Sequence, residues 1–107
     1  MKTYQLALLV VRFLRALIER IGRHDRNLAD QLRRAATSVP LNIYEGLYSR
    51  GGNRSARLST AMASAKECEA CLDTAEALGY LGADDIRLDD LDHLVASLWL
   101  MVHRPLR

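Results

Sequence analysis

Proline is scarce in this 107-residue chain, with two in all, while half of its residues are hydrophobic. Such a composition is neither disordered nor fibrous, and the length suits one domain over residues 1–107. Alternation of β-branched or aromatic with polar residues is missing over any useful length, which excludes strands. No long hydrophobic run exists. Leu6 to Val11 is apolar but far too short to span a bilayer, and Arg12 and Arg15 follow it directly. A signal peptide fits poorly, because the flank before the run has one lysine and the helical pattern continues through Ile21. Aromatics are few: the six are scattered along the sequence, offering no stacking platform, and Phe13 and Trp99 read as core. Assembled chemistry is lacking as well. There is no Ser-His-Asp ordering, phosphate-binding glycine motif or paired-carboxylate site, and Glu67 and Glu69 point to different sides of one helix. The expectation is a cytoplasmic, non-enzymatic protein with no cofactor and no metal.

What is present is helical rhythm, clearest in Gln31 to Gly46. Leu28, Leu32, Ala35, Val39, Ile43 and Gly46 recur at steps of four and three, one face of a helix. The phase holds across Pro40, although a proline inside a helix removes a donor and clashes with the preceding turn, costing about 3 kcal/mol. Two courses are open: a stop near Ser38 with a restart at Pro40, or one kinked helix. The unbroken phase favours the kink, with Thr37 and Ser38 offering hydroxyls to the freed backbone groups. A second line, Arg34, Ser38, Asn42 and Glu45, edges the apolar face. It is either a solvated flank or a polar seam facing Ser64 and Glu67 of the next helix, and a buried carboxylate there would need a partner.

Three more helices follow from the same rhythm. Helix one covers Thr3 to Ile21 and stops at Gly22. Its polar residues form a narrow stripe, so its apolar arc exceeds the roughly 100° that a small monomer buries. Tyr4, Leu8 and Val11 lie on the excess, which points to an interface with another copy of the chain. Asp25 or Asn27 caps helix two. Residues 49–53, SRGGN, form the clear loop. Helix three runs from Ser55 to Leu78, is rich in alanine, and ends at Gly79. Helix four runs from Asp84 to His103, with Leu88, Leu91, Leu94 or Val95, Leu98 and Val102 as its stripe and Pro105 as its stop. The expected fold class is all-α, an antiparallel up-down-up-down four-helix bundle with helix two kinked at Pro40.

QLRRAATSVPLNIYEG, from Gln31, and ASAKECEACLDTAEALGYL, from Ala63, resemble in register the four-helix-bundle family encoded in large-subunit ribosomal RNA intervening sequences. Relatives of that family include the accessory variability determinant of diversity-generating retroelements. The matching positions are Gln31, Leu32, Arg34, Ala35, Ser38, Val39, Pro40, Asn42, Ile43, Glu45 and Gly46, then Ala61, Ser64, Glu67, Glu69, Leu72, Ala75, Leu78, Gly79 and Tyr80. Ala63 replaces a family glycine, which bears on a close helix contact, and the usual Phe-Pro loop between helices one and two is absent. The resemblance implies a homo-oligomer, commonly a pentameric ring, with a suspected role in binding nucleic acid and no enzymatic activity.

Charge points the same way independently. Residues 1–57 carry 11 Lys/Arg against 4 Asp/Glu, and residues 58–107 carry 4 against 9. Interhelical pairs and solvated faces could absorb this split, while a ring would repeat an exposed basic patch into a polyanion site. Arg12, Arg15, Arg33, Arg50, Arg54 and Arg57 are the candidate RNA or DNA contacts. The alternative is an interaction scaffold docking a protein partner, such as a polymerase-like protein, through the apolar arc and acidic helix four. Cys68 and Cys71 form a C-x-x-C, but mid-helix and inside an apolar stripe. A redox pair belongs at a helix start and a zinc site needs four ligands, so packing is the simpler role. Asp84, Asp85, Asp89, Asp90 and Asp92 lack calcium-loop spacing and read as a solvated face.

Overall fold

The apolar rhythms close into four helices in the computed structural model, which describes residues 2–85 and 89–103. α1 spans Lys2–Gly22, α2 Arg26–Leu47, α3 Gly52–Ala77 and α4 Asp89–His103, with a short 3-10 helix at Ala83–Asp85. Among the described residues there is no strand. α2 packs on α1 and on α3, while α4 packs on α3 and on α1. Leu14, Ile21, Leu32, Ile43, Leu72, Leu91, Leu94 and Leu98 are fully buried along the shared axis. The body measures 45 × 22 × 19 Å, and α2 alone accounts for about 33 Å of the long dimension at 1.5 Å per residue. No helix of the described residues is long and apolar enough to cross a membrane.

α2 continues through Pro40 as one helix, and the proline ring is buried. Thr37 Oγ1 donates to the carbonyls of Arg33 and Arg34, both at 3.0 Å, so its hydroxyl serves the turn before the one that proline disrupts. Asp25 is the cap: its Oδ1 accepts from Leu28 N at 3.0 Å, resolving the choice with Asn27. α3 starts at Gly52, earlier than Ser55, with Gly51 at φ 60° as its cap. The second glycine of the loop is therefore absorbed into the helix. Asp84, expected at the start of helix four, lies instead in the 3-10 turn Ala83–Asp85, and α4 covers Asp89–His103. Leu88 and Pro105, expected in the stripe and at the stop, lie outside the described residues.

One end of the body is tied across the chain. Gly79, at φ 80°, lets the Gly79 N–H reach Glu76 O and the Tyr80 N–H reach Ala75 O, both at 2.9 Å. That pair of bonds satisfies the last carbonyls of α3. It also turns Tyr80 back onto the α1–α2 connection, where its ring stacks on His24 at 5.1 Å and its hydroxyl donates to Asp25 Oδ2 at 3.5 Å. Arg20 of α1 then grips Asp85 with both guanidinium nitrogens at 2.9 Å, and Asp85 also accepts from Gly82 N at 2.7 Å.

Asp85 is accordingly held below the ordinary carboxylate range, first by the Arg20 hydrogen bond and then by the Gly82 N–H. A native pKa below the unfolded one gives stability that is present above the unfolded value and lost as pH falls through the native one. Asp85→Asn should therefore destabilise at neutral pH, and the difference from the unaltered protein should vanish in the acid range below both pKa values. Urea unfolding across that pH range measures it, and a gap that persists at low pH would refute the ion-pair account.

Candidate functional site

The polar line on α2 meets α3 through a small cluster of hydrogen bonds. Ser64 Oγ donates to Ser38 Oγ at 2.8 Å. Asn42 Nδ2 donates to Ser38 O at 2.9 Å and to Ser38 Oγ at 3.0 Å. Arg57 Nη1 then donates to Asn42 Oδ1 at 3.4 Å and pairs with Glu45 Oε2 at 2.9 Å. Ser38, Asn42 and Ser64 are part-buried, whereas Glu45 and Arg57 are half exposed. The seam thus grades from the interior outward. Arg34 and Glu67, expected within it, are both exposed, and neither makes an ion pair among the described residues. They continue the helical line one turn further, at exposed positions.

The candidate phosphate contacts fall into two groups. Arg12 and Arg15 of α1 and Arg33 of α2 line one open groove of about 380 Å³, floored by Val11, Ile18 and Ala36. Arg33 also reaches Asp30 at 3.4 Å across an exposed surface, an interaction of roughly 0–1 kcal/mol. Arg50, Arg54 and Arg57 sit on the loop and the first turns of α3, and Arg57 alone of these is paired. Among the described residues no ion pair involves Arg12, Arg15, Arg50 or Arg54.

Two aromatic clusters depart from the reading of scattered, core-bound rings. Tyr4 and Tyr44 approach at 5.4 Å between centroids, and Tyr44 and Tyr48 at 4.8 Å, so three of the four tyrosines share one patch. Tyr48 is 76% exposed, and Leu41, about two turns earlier on α2, is 62% exposed. An ionised Tyr48 beside it raises the Tyr44 hydroxyl above its ordinary pKa. The signal was available in part: Leu41, Tyr44 and Tyr48 keep helical spacing on the face of α2 opposite Ile43. Tyr4 joins them only through the fold. Trp99 is half exposed rather than core, stacked on His103 at 4.2 Å, with Leu100 exposed beside it. Phe13 packs against the core as expected. Tyr4 and Val11, expected at an interface, are partly buried against the core; Leu8 is intermediate and its neighbour Leu9 is half exposed.

Residues 1–101 match the model of the 23S rRNA-intervening sequence protein family. The chain belongs to that family. No curated protein and no solved structure matches it.

Several residues of the family pattern acquire physical roles here. Gly46 lies where α2 and α3 draw together: a Cβ added to it would stand 3.2 Å from Leu58 Cγ and 3.3 Å from Arg57 Cβ. Ala63, in place of the family glycine, is exposed and loosens no contact within the chain. Leu78, Gly79 and Tyr80 form the turn that docks on His24. Cys68 and Cys71 are buried free thiols. Burial, then the neighbouring Cys71, pushes the Cys68 thiol up to about 12, and burial also raises Cys71. A thiolate needed for redox chemistry or metal binding is disfavoured at both. Among the described residues no group of three or more His, Cys, Asp or Glu is placed to hold a metal ion.

The Ser38–Ser64 bond can be isolated energetically. Ser38→Ala should cost about 1 kcal/mol, because Ser64 and Asn42 lose a partner in a part-buried site. The Ser38→Ala, Ser64→Ala double variant should cost less than the two singles added together. Urea unfolding of the four proteins gives the coupling, and strict additivity would show that the seam does not act as a unit.

Proposed function

We propose that this protein is a non-catalytic cytoplasmic homo-oligomer that binds RNA or DNA through the basic surface of α1, α2 and the loop after α2. In this reading the helices alternate up, down, up and down, and α2 bends at Pro40. Short connections at residues 23–25 and 48–51, together with packing of each helix on its neighbours in sequence and of α4 on α1, support that course.

One observation carries the nucleic-acid reading: Arg12, Arg15 and Arg33 converge on a single groove, with no acid paired to Arg12 or Arg15 among the described residues. Internal pairing also leaves most of the basic excess over. Of the ion pairs among the described residues, Arg20–Asp85 alone joins the basic first half to the acidic second half. Arginine forks suit phosphate oxygens, and a repeated basic face concentrates their field.

The oligomer rests on surface that a monomer leaves wet. Leu9 is half exposed on α1 with Leu8 intermediate beside it, while Tyr4 and Val11 are partly buried against the core. Trp99 and Leu100, with Lys66, Glu69 and Asp92 beside them, present a second apolar face between α3 and α4. Two different faces set head to tail give a ring where the rotation closes, and the family resemblance favours a pentamer. The Trp99 face also supports a second reading, a scaffold that docks a protein partner such as a polymerase-like protein.

Binding of a labelled RNA and a DNA duplex across a salt series tests the first reading. Log affinity should fall linearly with log salt, by roughly 0.9 per phosphate contacted on the duplex. Neutralising Arg50, Arg54 and Arg57 together should flatten that slope. No binding to either at low salt would favour the scaffold.

Light scattering at micromolar concentration tests the oligomer. The unaltered protein should run as a multiple of the chain mass, and Leu8→Asp with Val11→Asp should dissociate it, since a desolvated charge there is costly. A monomeric unaltered protein would overturn the assembly.

A further inference from the structure

The tyrosine patch stands apart from the groove of Arg12, Arg15 and Arg33. Tyr44 and Tyr48 are four residues apart on α2, their rings 4.8 Å from one another, and Tyr4 of α1 supports Tyr44 from the other side. Half of Tyr44 and three quarters of Tyr48 face solvent. Large exposed rings gathered into one patch signal a contact surface rather than a leftover of folding. Their surroundings are basic. Arg50 follows two residues after Tyr48, Arg54 lies in the first turn of α3, and Arg57 reaches back to Asn42 and Glu45 of α2. Glu45 is the only acid within residues 44–57, and Arg57 already neutralises it.

We infer that Tyr44 and Tyr48 form a stacking platform for unpaired bases, with Arg50 and Arg54 on the flanking phosphates, so that this end of the protein selects single strands over duplex. Every base has a flat π-face that a tyrosine ring can cover, and adjacent cations hold the backbone that carries it. A duplex keeps its bases stacked inside and has none to offer the rings. The inference rests on the nucleic-acid reading above and adds a substrate class to it. The second copy of the chain, the other occupant such a patch could take, fits less well. Apolar area at Leu8 and Leu9 on α1 and around Trp99 offers two other faces for that contact, and a basic patch against the basic half of a neighbour repels.

The test compares three labelled probes of equal length: a single-stranded oligo-dT, the same strand without bases, and a duplex. The unaltered protein should bind oligo-dT about 5- to 150-fold more tightly than the abasic strand, the range that base stacking on an aromatic ring produces. Tyr48→Ala and Tyr44→Ala should each bring that ratio towards one, Tyr48→Phe should retain it, and the salt slope should not change. Equal affinity for the oligo-dT and abasic strands would overturn the platform while leaving electrostatic binding in place. Absence of binding to all three would remove the nucleic-acid reading and the platform with it. Light scattering on the Tyr44→Ala and Tyr48→Ala proteins completes the test, since a loss of oligomer mass would assign the patch to a subunit contact and overturn the inference.

Discussion

Ser38 and Ser64 meet at 2.8 Å between α2 and α3, and the rest of the body is set by how near that bond brings the two helices. Serine hydroxyls reach only a short distance, so the backbones must stand close wherever two of them touch. The residues around the bond accommodate that approach. Ala35, Ala61 and Ala65 are buried on either side of it, and Gly46 gives α3 room at the level of Leu58. α3 spends many of its buried positions on alanine and cysteine for the same reason. Pro40, two residues on and about 200° round the helix at 3.6 residues per turn, is buried on another side of α2.

How much of this could be read from the sequence depends on the range over which each feature is determined. Helix periodicity is local, and the apolar steps through Leu28, Leu32, Val39 and Ile43 located α2 and carried it across Pro40 correctly. The seam of Ser38, Asn42 and Ser64 was legible because both halves lie on regular helices whose faces can be phased. Arg34 and Glu67 continue the same phase, yet side chains at the edge of a contact are set by rotamer and solvent, which spacing does not encode. Helix starts were misjudged where capping is weak: Gly51 has no side chain to announce α3, and the acids at 84–85 suggested an α-helical first turn that is a 3-10 turn. The tyrosine patch was hardest to see. Tyr4 and Tyr44 are forty residues apart, and aromatic side chains are ordinarily assigned to cores on composition alone.

Charge in this chain is separated rather than paired. A basic first half and an acidic second half could have locked together, but Arg20–Asp85 is the single such link among the described residues, and it lies at the end of the body where the α3–α4 connection returns to α1. The other pairs, Arg33–Asp30, Arg57–Glu45 and Lys66–Glu69, each stay within one half. Exposed pairs of this kind contribute little to stability. Their arrangement matters more for what the surface presents outward, which is positive on α1, α2 and the first turns of α3 and negative on the rest of α3 and on α4.

That polarity constrains the assembly we propose. A two-fold dimer sets one patch against its own copy, so a basic face would meet a basic face and an acidic face an acidic one, a juxtaposition that electrostatics opposes. Head-to-tail packing instead sets two different faces together, the apolar strip of Leu8 and Leu9 on α1 of one subunit and the Trp99 and Leu100 face of the next. Burial raises the Glu69 pKa, while Lys66, 3.8 Å away in the same chain, draws it back down. A head-to-tail contact repeats until it closes or runs on as a filament. Closure leaves the ends of each bundle uncovered around the ring, and Tyr44, Tyr48 and the Arg50–Arg57 loop lie at one such end. The face that is consumed by assembly and the face that is multiplied by it are then different surfaces of the same helix pair.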